Sequence, residues 1–163
     1  MNFKYPSIAC LTLIFIVLSG CSSKKEIPKI ATQEIGFYST EKVNEGYALA
    51  IDIIFIYNPS ITRSIEGLTA RKWFKKKAQF LRDYPNSLSV KSIQLVPGQL
   101  LSRVKVKEKQ ESAIASFVFA NYYADGIHRS RIDQIKVPVI KLLEKKFTVG
   151  RETKRSNSWF SLF

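Results

Sequence analysis

Cysteine and histidine are scarce in this sequence. Its 163 residues include two cysteines and one histidine, and both cysteines, Cys10 and Cys21, lie near the start of the chain. The rest of the chain therefore cannot form a disulfide framework, a cysteine zinc site or an iron–sulfur cluster. One histidine, His128, is too few for a histidine-rich metal site. These counts exclude cysteine nucleophiles and most metalloenzymes.

Acidic residues are also few, with 13 Asp and Glu against 26 Lys and Arg, and the formal net charge is +13. No two carboxylates have a spacing that predicts an acid–base pair. The sequence has no Gly-x-Ser-x-Gly nucleophile motif and no glycine-rich phosphate loop. His128 lies beside a turn, where a histidine is more often a surface or packing residue than a base. We therefore predict that the protein is not an enzyme and has no catalytic residue, metal or non-covalent cofactor.

Long apolar runs are absent except near the start of the chain. Mean hydropathy is −0.07, and 45% hydrophobic with 24% charged residues is typical of one folded domain rather than of a multi-span membrane protein. Residues 8–20, IACLTLIFIVLSG, carry no charge. This run is too short to span a bilayer, which needs about 20 residues, but it has the length of the apolar region of a signal peptide.

The apolar run ends in the sequence LSGC at residues 18–21, which is the lipobox pattern of bacterial lipoproteins. Small residues before the cysteine let the peptidase approach the backbone, and the thiol of Cys21 accepts diacylglycerol. We predict a lipoprotein signal peptide over residues 1–20 and a palmitate-containing lipid on Cys21. Because Ser22 and not Asp follows, we expect the periplasmic face of the outer membrane. The alternatives are a plain signal peptide, or a buried apolar strand with a cysteine there by chance.

The mature chain divides into three parts by composition. Residues 21–31 are polar and basic and predict a flexible tether with a root-mean-square reach of roughly 18 Å. Residues 32–150 predict a single folded domain. Residues 151–163 are basic and then aromatic, and this tail either docks on the domain, is disordered, or contacts a partner or a membrane. The basic charge favours anionic lipid or an acidic protein, and export makes nucleic acid a poor candidate.

Short apolar runs predict the strands of the domain. The strongest is residues 48–57, in which Asp52 is the only charged residue, and this pattern predicts a central strand covered on both faces. Asp52 is expected either to face solvent or to be buried beside an arginine, because an unpaired buried carboxylate would cost several kcal/mol. The other predicted strands are residues 33–38, 89–96, 100–107, 113–123, 137–142 and 146–153.

Residues 69–84 predict a helix that begins at Thr69, a suitable N-cap, and ends before Pro85. Its apolar stripe is interrupted only by Lys77, and the other basic residues lie mainly off the stripe. A shorter helix is predicted within residues 60–67. Two strands, a helical region at about 60–85 and several later strands predict a mainly β, α+β fold: a two-sheet β-sandwich with a helical insertion.

Four segments between about residues 33 and 150 occur in an informative order. They are the loop Asn44-Glu45-Gly46 before the apolar strand, the helix with Trp73-Phe74, Ala78, Phe80 and Leu81, the turn Leu95-Val96-Pro97-Gly98, and residues 115–123 followed by His128, Arg129 and Arg131. In this order they resemble the TssJ family, the small outer-membrane lipoproteins of the type VI secretion system. The strongly basic composition and the aromatic tail after Gly150 depart from the family pattern.

The resemblance implies a transthyretin-like β-sandwich without catalytic activity. It also implies binding to the periplasmic part of the inner-membrane protein TssM, in an envelope-spanning complex that includes TssL. The family contacts TssM through the loop between its first two strands, which corresponds to residues 39–47 here. The predicted partner-binding residues are therefore Lys42, Val43, Asn44, Glu45 and Tyr47.

Two other functions remain open on the sequence alone. One is a lipoprotein adaptor of a different envelope machine, such as a pilotin or a conjugation subunit. The other is a lipoprotein that binds peptidoglycan or anionic lipid through its basic residues.

Overall fold

The computed structural model describes residues 27–152. The predicted signal peptide, the lipidation site Cys21, most of the predicted tether and the tail from residue 153 lie outside the described residues. Within residues 27–152, strands form two four-stranded sheets that pack against each other, so the predicted two-sheet sandwich is confirmed. None of the helices in this part of the chain combines the length and the apolar character needed to cross a membrane.

The strands are β1 (Glu34–Ser39), β2 (Leu49–Ile56), β3 (Leu88–Leu95), β4 (Leu100–Lys105), β5 (Ala115–Ala120), β6 (Arg129–Arg131), β7 (Pro138–Leu142) and β8 (Phe147–Arg151). The helices are a 3₁₀ segment (Val43–Gly46), α1 (Pro59–Glu66), α2 (Ala70–Asp83) and α3 (Glu108–Glu111). The first sheet has the order β4–β1–β7–β8, and the second has the order β3–β2–β5–β6. β1 and β7 pair in parallel, and the other pairs are antiparallel.

Each strand and helix predicted from the sequence corresponds to an observed element. The sequence did not predict β6 or α3. These elements are three and four residues long, and so short a segment contains about one repeat of a hydrophobic pattern or less.

β2 is the central strand of the second sheet and is buried on both faces, as predicted. Leu49, Ile51, Ile53 and Phe55 pack into the core between the two sheets. The alternate side chains, including Ile54 and Ile56, pack into a second core beneath α1 and α2. A strand covered on both sides reads as a nearly continuous apolar run, which explains why its pattern was the clearest in the sequence.

Asp52 is the one charged residue of β2, and its side chain is 1% exposed beneath α2. Its Oδ2 atom accepts a hydrogen bond from Trp73 Nε1 at 2.8 Å, and Lys77 Nζ lies 2.9 Å from both carboxylate oxygens. Lys77 Nζ also donates to Ser92 Oγ on β3 at 2.6 Å. Of the two expectations for Asp52, solvent exposure is wrong, and the buried partner is a lysine rather than an arginine.

The strand directions place the connections at two opposite ends of the sandwich. The loops that follow β1, β3, β5 and β7 (residues 40–48, 96–99, 121–128 and 143–146) lie at what we call the loop end. The first described residues, 27–33, lie at the opposite end, here called the anchor end, together with the connections 106–114 and 132–137. Since β2 has eight residues, the two ends are about 25 Å apart.

The domain begins slightly earlier than the sequence predicted. The Ile30 N–H donates to the Ala113 carbonyl at 2.8 Å, and the Ala31 N–H donates to the Asp133 carbonyl at 2.7 Å. The buried Thr32 hydroxyl then bonds the Ile132 carbonyl at 2.8 Å. The last two residues of the predicted tether therefore belong to the domain.

We predict that Lys77→Met lowers the free energy of unfolding by about 2 kcal/mol, because Asp52 is left buried without its cation. Breaking a fully buried pair costs about 3–5 kcal/mol, and the Lys77 side chain keeps some solvent contact. The measurement is urea unfolding of the domain. Lys76→Met changes the neighbouring exposed lysine and should stay within about 0.5 kcal/mol of the unmodified chain. Equal losses for the two variants would contradict this role of the pair.

Candidate partner-binding site

The loop between β1 and β2 has an unusual and tightly held backbone. Asn44, Glu45 and Gly46 adopt φ values of 49°, 59° and 85° in succession. Asparagine and glycine tolerate this left-handed region better than other residues do. The Val43 N–H donates to the Thr40 carbonyl, and the Tyr47 N–H donates to the Asn44 carbonyl, both at 3.1 Å. These bonds fold the loop into a compact turn.

The side chain of Asn44 joins two loops. Its Nδ2 atom donates to the Ala48 carbonyl at 3.1 Å, within its own loop. Its Oδ1 atom accepts from the backbone N–H of Tyr123, on the loop between β5 and β6, at 2.8 Å. With Asn44 only 2% exposed, one buried amide fixes the relative position of both loops.

The five residues predicted to bind a partner separate into two groups. Val43 is fully buried in the core between the sheets, and Asn44 is buried between the loops. Neither side chain lies on the surface of the folded domain. Val43 packs in the core and Asn44 bonds two loops, in place of the direct partner contact that we predicted for both. Lys42, Glu45 and Tyr47 are exposed at the loop end and remain predicted contact residues.

Tyr47 forms an exposed aromatic pair with Tyr123. The ring centroids are 5.3 Å apart at an angle of 81°, an edge-to-face arrangement. The two residues are 60% and 62% exposed. Edge-to-face pairs are favourable arrangements for aromatic rings, so the two tyrosines hold each other in position on the surface.

The N-terminus of α2 completes this surface. Arg71 donates from Nη2 to the Tyr123 carbonyl at 3.0 Å, and its Nη1 atom lies 2.9 Å from Asp125 Oδ1. The Ala70 N–H donates to the carbonyl of Ile127, a residue that is 59% exposed. We call Tyr47, Tyr123, Ile127 and Arg71 the tyrosine patch.

Two shallow clefts adjoin the patch at the loop end. Both are open to solvent, and both border the loop between β7 and β8. The first is lined by Glu41, Lys42, Glu45, Gly46, Glu144 and Lys145. The second is lined by residues 125–130 and 145–147 together with Val149. The charges in the first cleft are mixed in sign, and neither cleft encloses a volume of the kind that surrounds a small-molecule ligand.

His128 and Tyr122 at the loop end are held by ring packing and hydrogen bonds to backbone carbonyls. The ring of His128 stacks against Tyr122 with 4.8 Å between centroids, and its Nε2 atom bonds the Ala124 carbonyl at 2.8 Å. Tyr122 donates its hydroxyl to the Lys146 carbonyl at 2.9 Å, and burial raises the pKa of this phenol. Across residues 27–152, acidic, cysteine and histidine side chains form no group of three that could hold a metal ion.

Sequence reasoning did not identify Tyr123, Ile127 and Arg71 as candidate partner-binding residues. Tyr123 was placed at the end of a predicted strand, although β5 ends at Ala120. The dipeptide Asp125-Gly126 indicates a turn after this strand, but the position of the turn beside the β1–β2 loop depends on pairing between the distant strands β2 and β5. The position of Arg71 likewise depends on how α2 crosses the sheet.

No protein-family model and no curated protein sequence matches this chain. Solved structures do match it. The type VI secretion lipoprotein TssJ1 from Pseudomonas aeruginosa gives a TM-score of 0.58 at 14% identity, over 77% of this chain and 98% of that chain. The fold is that of the TssJ lipoproteins. The resemblance noted in the sequence is thereby confirmed at the level of the fold.

Two further structures give similar values. A chain of a structure described as a type VI membrane complex has a TM-score of 0.57 at 14% identity, over 75% of this chain and 99% of that chain. A chain of the structure of the TssM C-terminal domain (869–1107) from EAEC has a TM-score of 0.55 at 12% identity, over 74% of this chain and 98% of that chain. The fold shared with this protein therefore accounts for nearly the full length of each matched chain.

We predict that Asn44→Ala destabilises the domain by about 2–3 kcal/mol. The variant leaves the Tyr123 N–H and the Ala48 carbonyl without their partner and places alanine in the left-handed region. The measurement is denaturant unfolding. Glu45→Ala is the matched control, since Glu45 has a similar φ but is exposed, and we expect a change within about 0.5 kcal/mol. A neutral Asn44→Ala variant would refute the bridging role of Asn44.

Proposed function

We propose that this protein is an outer-membrane lipoprotein of a type VI secretion membrane complex. In this proposal a lipid on Cys21 holds the domain to the periplasmic face of the outer membrane. The loop end then binds the periplasmic part of a TssM-like inner-membrane protein, which brings TssL into the same assembly. The role is structural and involves no catalysis.

The observation that carries the proposal is the placement of the tyrosine patch. It lies at the loop end, about 25 Å from the anchor end, where the first described residues enter the domain. A lipid joined to the chain before residue 27 pulls the anchor end towards the membrane. The patch then faces away from that membrane, where a protein that spans the periplasm can reach it.

The composition of the patch suits a protein partner. Tyrosine and arginine are enriched among the residues that contribute most to protein–protein affinity. The edge-to-face pair and the Asn44 bridge hold Tyr47 and Tyr123 in position before binding. Little side-chain and loop entropy is then lost on association, which favours affinity.

The similar structures support the same proposal. They are described as a type VI secretion lipoprotein, a type VI membrane complex and a TssM C-terminal domain. At identities of 12–14%, these likenesses concern the fold. The lipobox at residues 18–21 and the exposed patch of this chain supply the independent support for function.

We predict that Tyr47→Ala and Tyr123→Ala each weaken binding to the periplasmic domain of the TssM-like protein of the same organism by tenfold or more. Losses of this size are typical of central tyrosines in an interface. The affinity can be measured by isothermal titration calorimetry with the chain from residue 22 onwards. Tyr84→Ala is the matched control, because Tyr84 is exposed at the far end of α2.

The results of this titration test the interface and the choice of partner separately. Unchanged affinity for both loop variants would overturn the assignment of the interface. No binding by the unmodified chain would overturn the choice of partner, and thermal unfolding of each variant shows whether the domain is still folded.

We predict that Cys21→Ser abolishes incorporation of labelled palmitate and moves the protein from the membrane fraction to the soluble periplasmic fraction, because the acyl chains supply the anchor. Cys10→Ser is the control, since Cys10 is removed with the signal peptide and should leave labelling unchanged. Continued palmitate labelling of the Cys21→Ser protein would show that the lipidation site is wrong.

A further inference from the structure

Exposed basic residues surround the point at which the chain begins the domain. We call this set the basic collar: Lys29, Lys105, Lys107, Lys109, Lys136 and Arg151 are all exposed at the anchor end. Five acidic residues also lie at this end: Glu34, Glu108, Glu111, Asp133 and Glu152. Three of them are engaged locally. Glu34 and Glu152 bond Arg103, and the buried Asp133 bonds Arg131.

The loop end has the opposite balance. Its four loops carry three lysines and four carboxylates: Lys42, Lys145, Lys146, Glu41, Glu45, Asp125 and Glu144. The corresponding segments of the anchor end, residues 27–33, 106–114, 132–137 and 151–152, carry five basic residues and four acidic ones: Lys29, Lys107, Lys109, Lys136, Arg151, Glu108, Glu111, Asp133 and Glu152. The anchor end is therefore the more basic of the two ends by a small margin.

Backbone hydrogen bonds show that the collar surrounds the start of the domain. The Ile30 N–H donates to the Ala113 carbonyl at 2.8 Å, on the side of the connection that carries Lys107 and Lys109. The Gln33 N–H donates to the Lys136 carbonyl at 2.9 Å, on the other side. Lys29 lies on the first segment itself.

The end of β8 belongs to the same group. The Glu152 N–H donates to the Val137 carbonyl at 3.1 Å, which brings Arg151 beside the connection that carries Lys136. Arg103 on β4 then bonds both Glu34 on β1 and Glu152, the residue that follows β8, so one guanidinium joins these elements at the anchor end.

We propose that the basic collar binds the anionic headgroups of the membrane to which the protein is attached. The location of this contact rests on the lipid predicted at Cys21 and does not depend on the identity of the protein partner. Seven residues, 22–28, lie between Cys21 and the collar residue Lys29, and for the tether predicted from the sequence this gives a root-mean-square span of about 15 Å. The tether therefore keeps the collar within about two Debye lengths of the headgroups at physiological salt.

This proximity favours a lipid surface over an acidic protein as the occupant. The tether maintains a high effective concentration of headgroups at the collar. Each lysine near an anionic surface strengthens membrane binding by about fivefold. The contact would also orient the domain, because binding through the anchor end directs the tyrosine patch away from the membrane.

The test measures binding of the chain from residue 22 onwards, without its lipid, to vesicles. The vesicles contain phosphatidylcholine and about 30% of the anionic lipid phosphatidylglycerol. Both hydrophobic cores lie within residues 30–149, so this chain contains the whole folded domain. The collar variant is Lys107→Gln, Lys109→Gln and Lys136→Gln combined. The control variant removes the same charge from the first half of α2, as Lys72→Gln, Lys75→Gln and Lys76→Gln combined.

We expect the collar variant to bind the anionic vesicles about a hundredfold more weakly, and the control variant to differ by no more than about threefold. Pure phosphatidylcholine vesicles should bind neither variant, and salt should release the unmodified chain. The proposal is overturned by equal losses in the two variants, by equal binding to neutral vesicles, or by no binding to anionic vesicles. Affinity of the collar variant for the TssM-like domain tests the partner separately and should be unchanged.

Discussion

The attachment of α2 to the second sheet depends on the buried contact of Asp52 with Lys77 and Trp73. A carboxylate on the central strand is compatible with burial only where a cation and a donor are both present. Lys77 supplies the cation and Trp73 supplies the N–H, one turn apart on the same face of α2. Sliding the helix by one turn would leave the carboxylate buried without its cation. The contact therefore specifies a single register of α2 on the sheet.

The register of α2 on the sheet also determines which of its residues bond the β5–β6 loop at the loop end. The first turn of α2 carries Arg71, which bonds the Tyr123 carbonyl, and Ala70, which bonds the Ile127 carbonyl. Asn44 holds the same loop from the other side through the Tyr123 N–H. The conformation of the β5–β6 loop is thus set by a helix and by a neighbouring loop. The buried Asn44 stabilises the patch without lying on its surface, whereas Arg71 both bonds the loop and is exposed. The stabilising role of Asn44 can therefore be mutated separately from the exposed tyrosines.

The sequence predicted those features that depend on local pattern. The apolar run of β2, the capped helix α2 and the turn at Asn44-Glu45-Gly46 were found because neighbouring residues determine them. Asp52 and Lys77 were each recognised as exceptions to an apolar pattern, but their pairing joins residues 25 positions apart and depends on the helix register. The burial of Asn44 was missed for the same reason, since Tyr123, to which its side chain bonds, lies 79 positions away. The parallel pairing of β1 with β7 is likewise a long-range feature that no local pattern specifies.

Under the proposed function, β1 becomes the mechanical link between lipid and partner. The chain leaves the anchor, enters β1 at Glu34 and reaches the β1–β2 loop directly after Ser39. Tension applied at Tyr47 would therefore act along this strand, whereas the other residues of the patch are carried by the β5–β6 loop and α2. β1 lies inside the first sheet, paired with β4 on one side and with β7 on the other. Pulling a strand along its own axis breaks the backbone hydrogen bonds to both neighbouring strands at the same time. The bonds of Arg103 to Glu34 and Glu152 add side-chain links at the anchor end, where the force would be applied. The placement of β1 between two partners is thus the feature of the fold best suited to a protein that is held by lipid at one end and by another protein at the other.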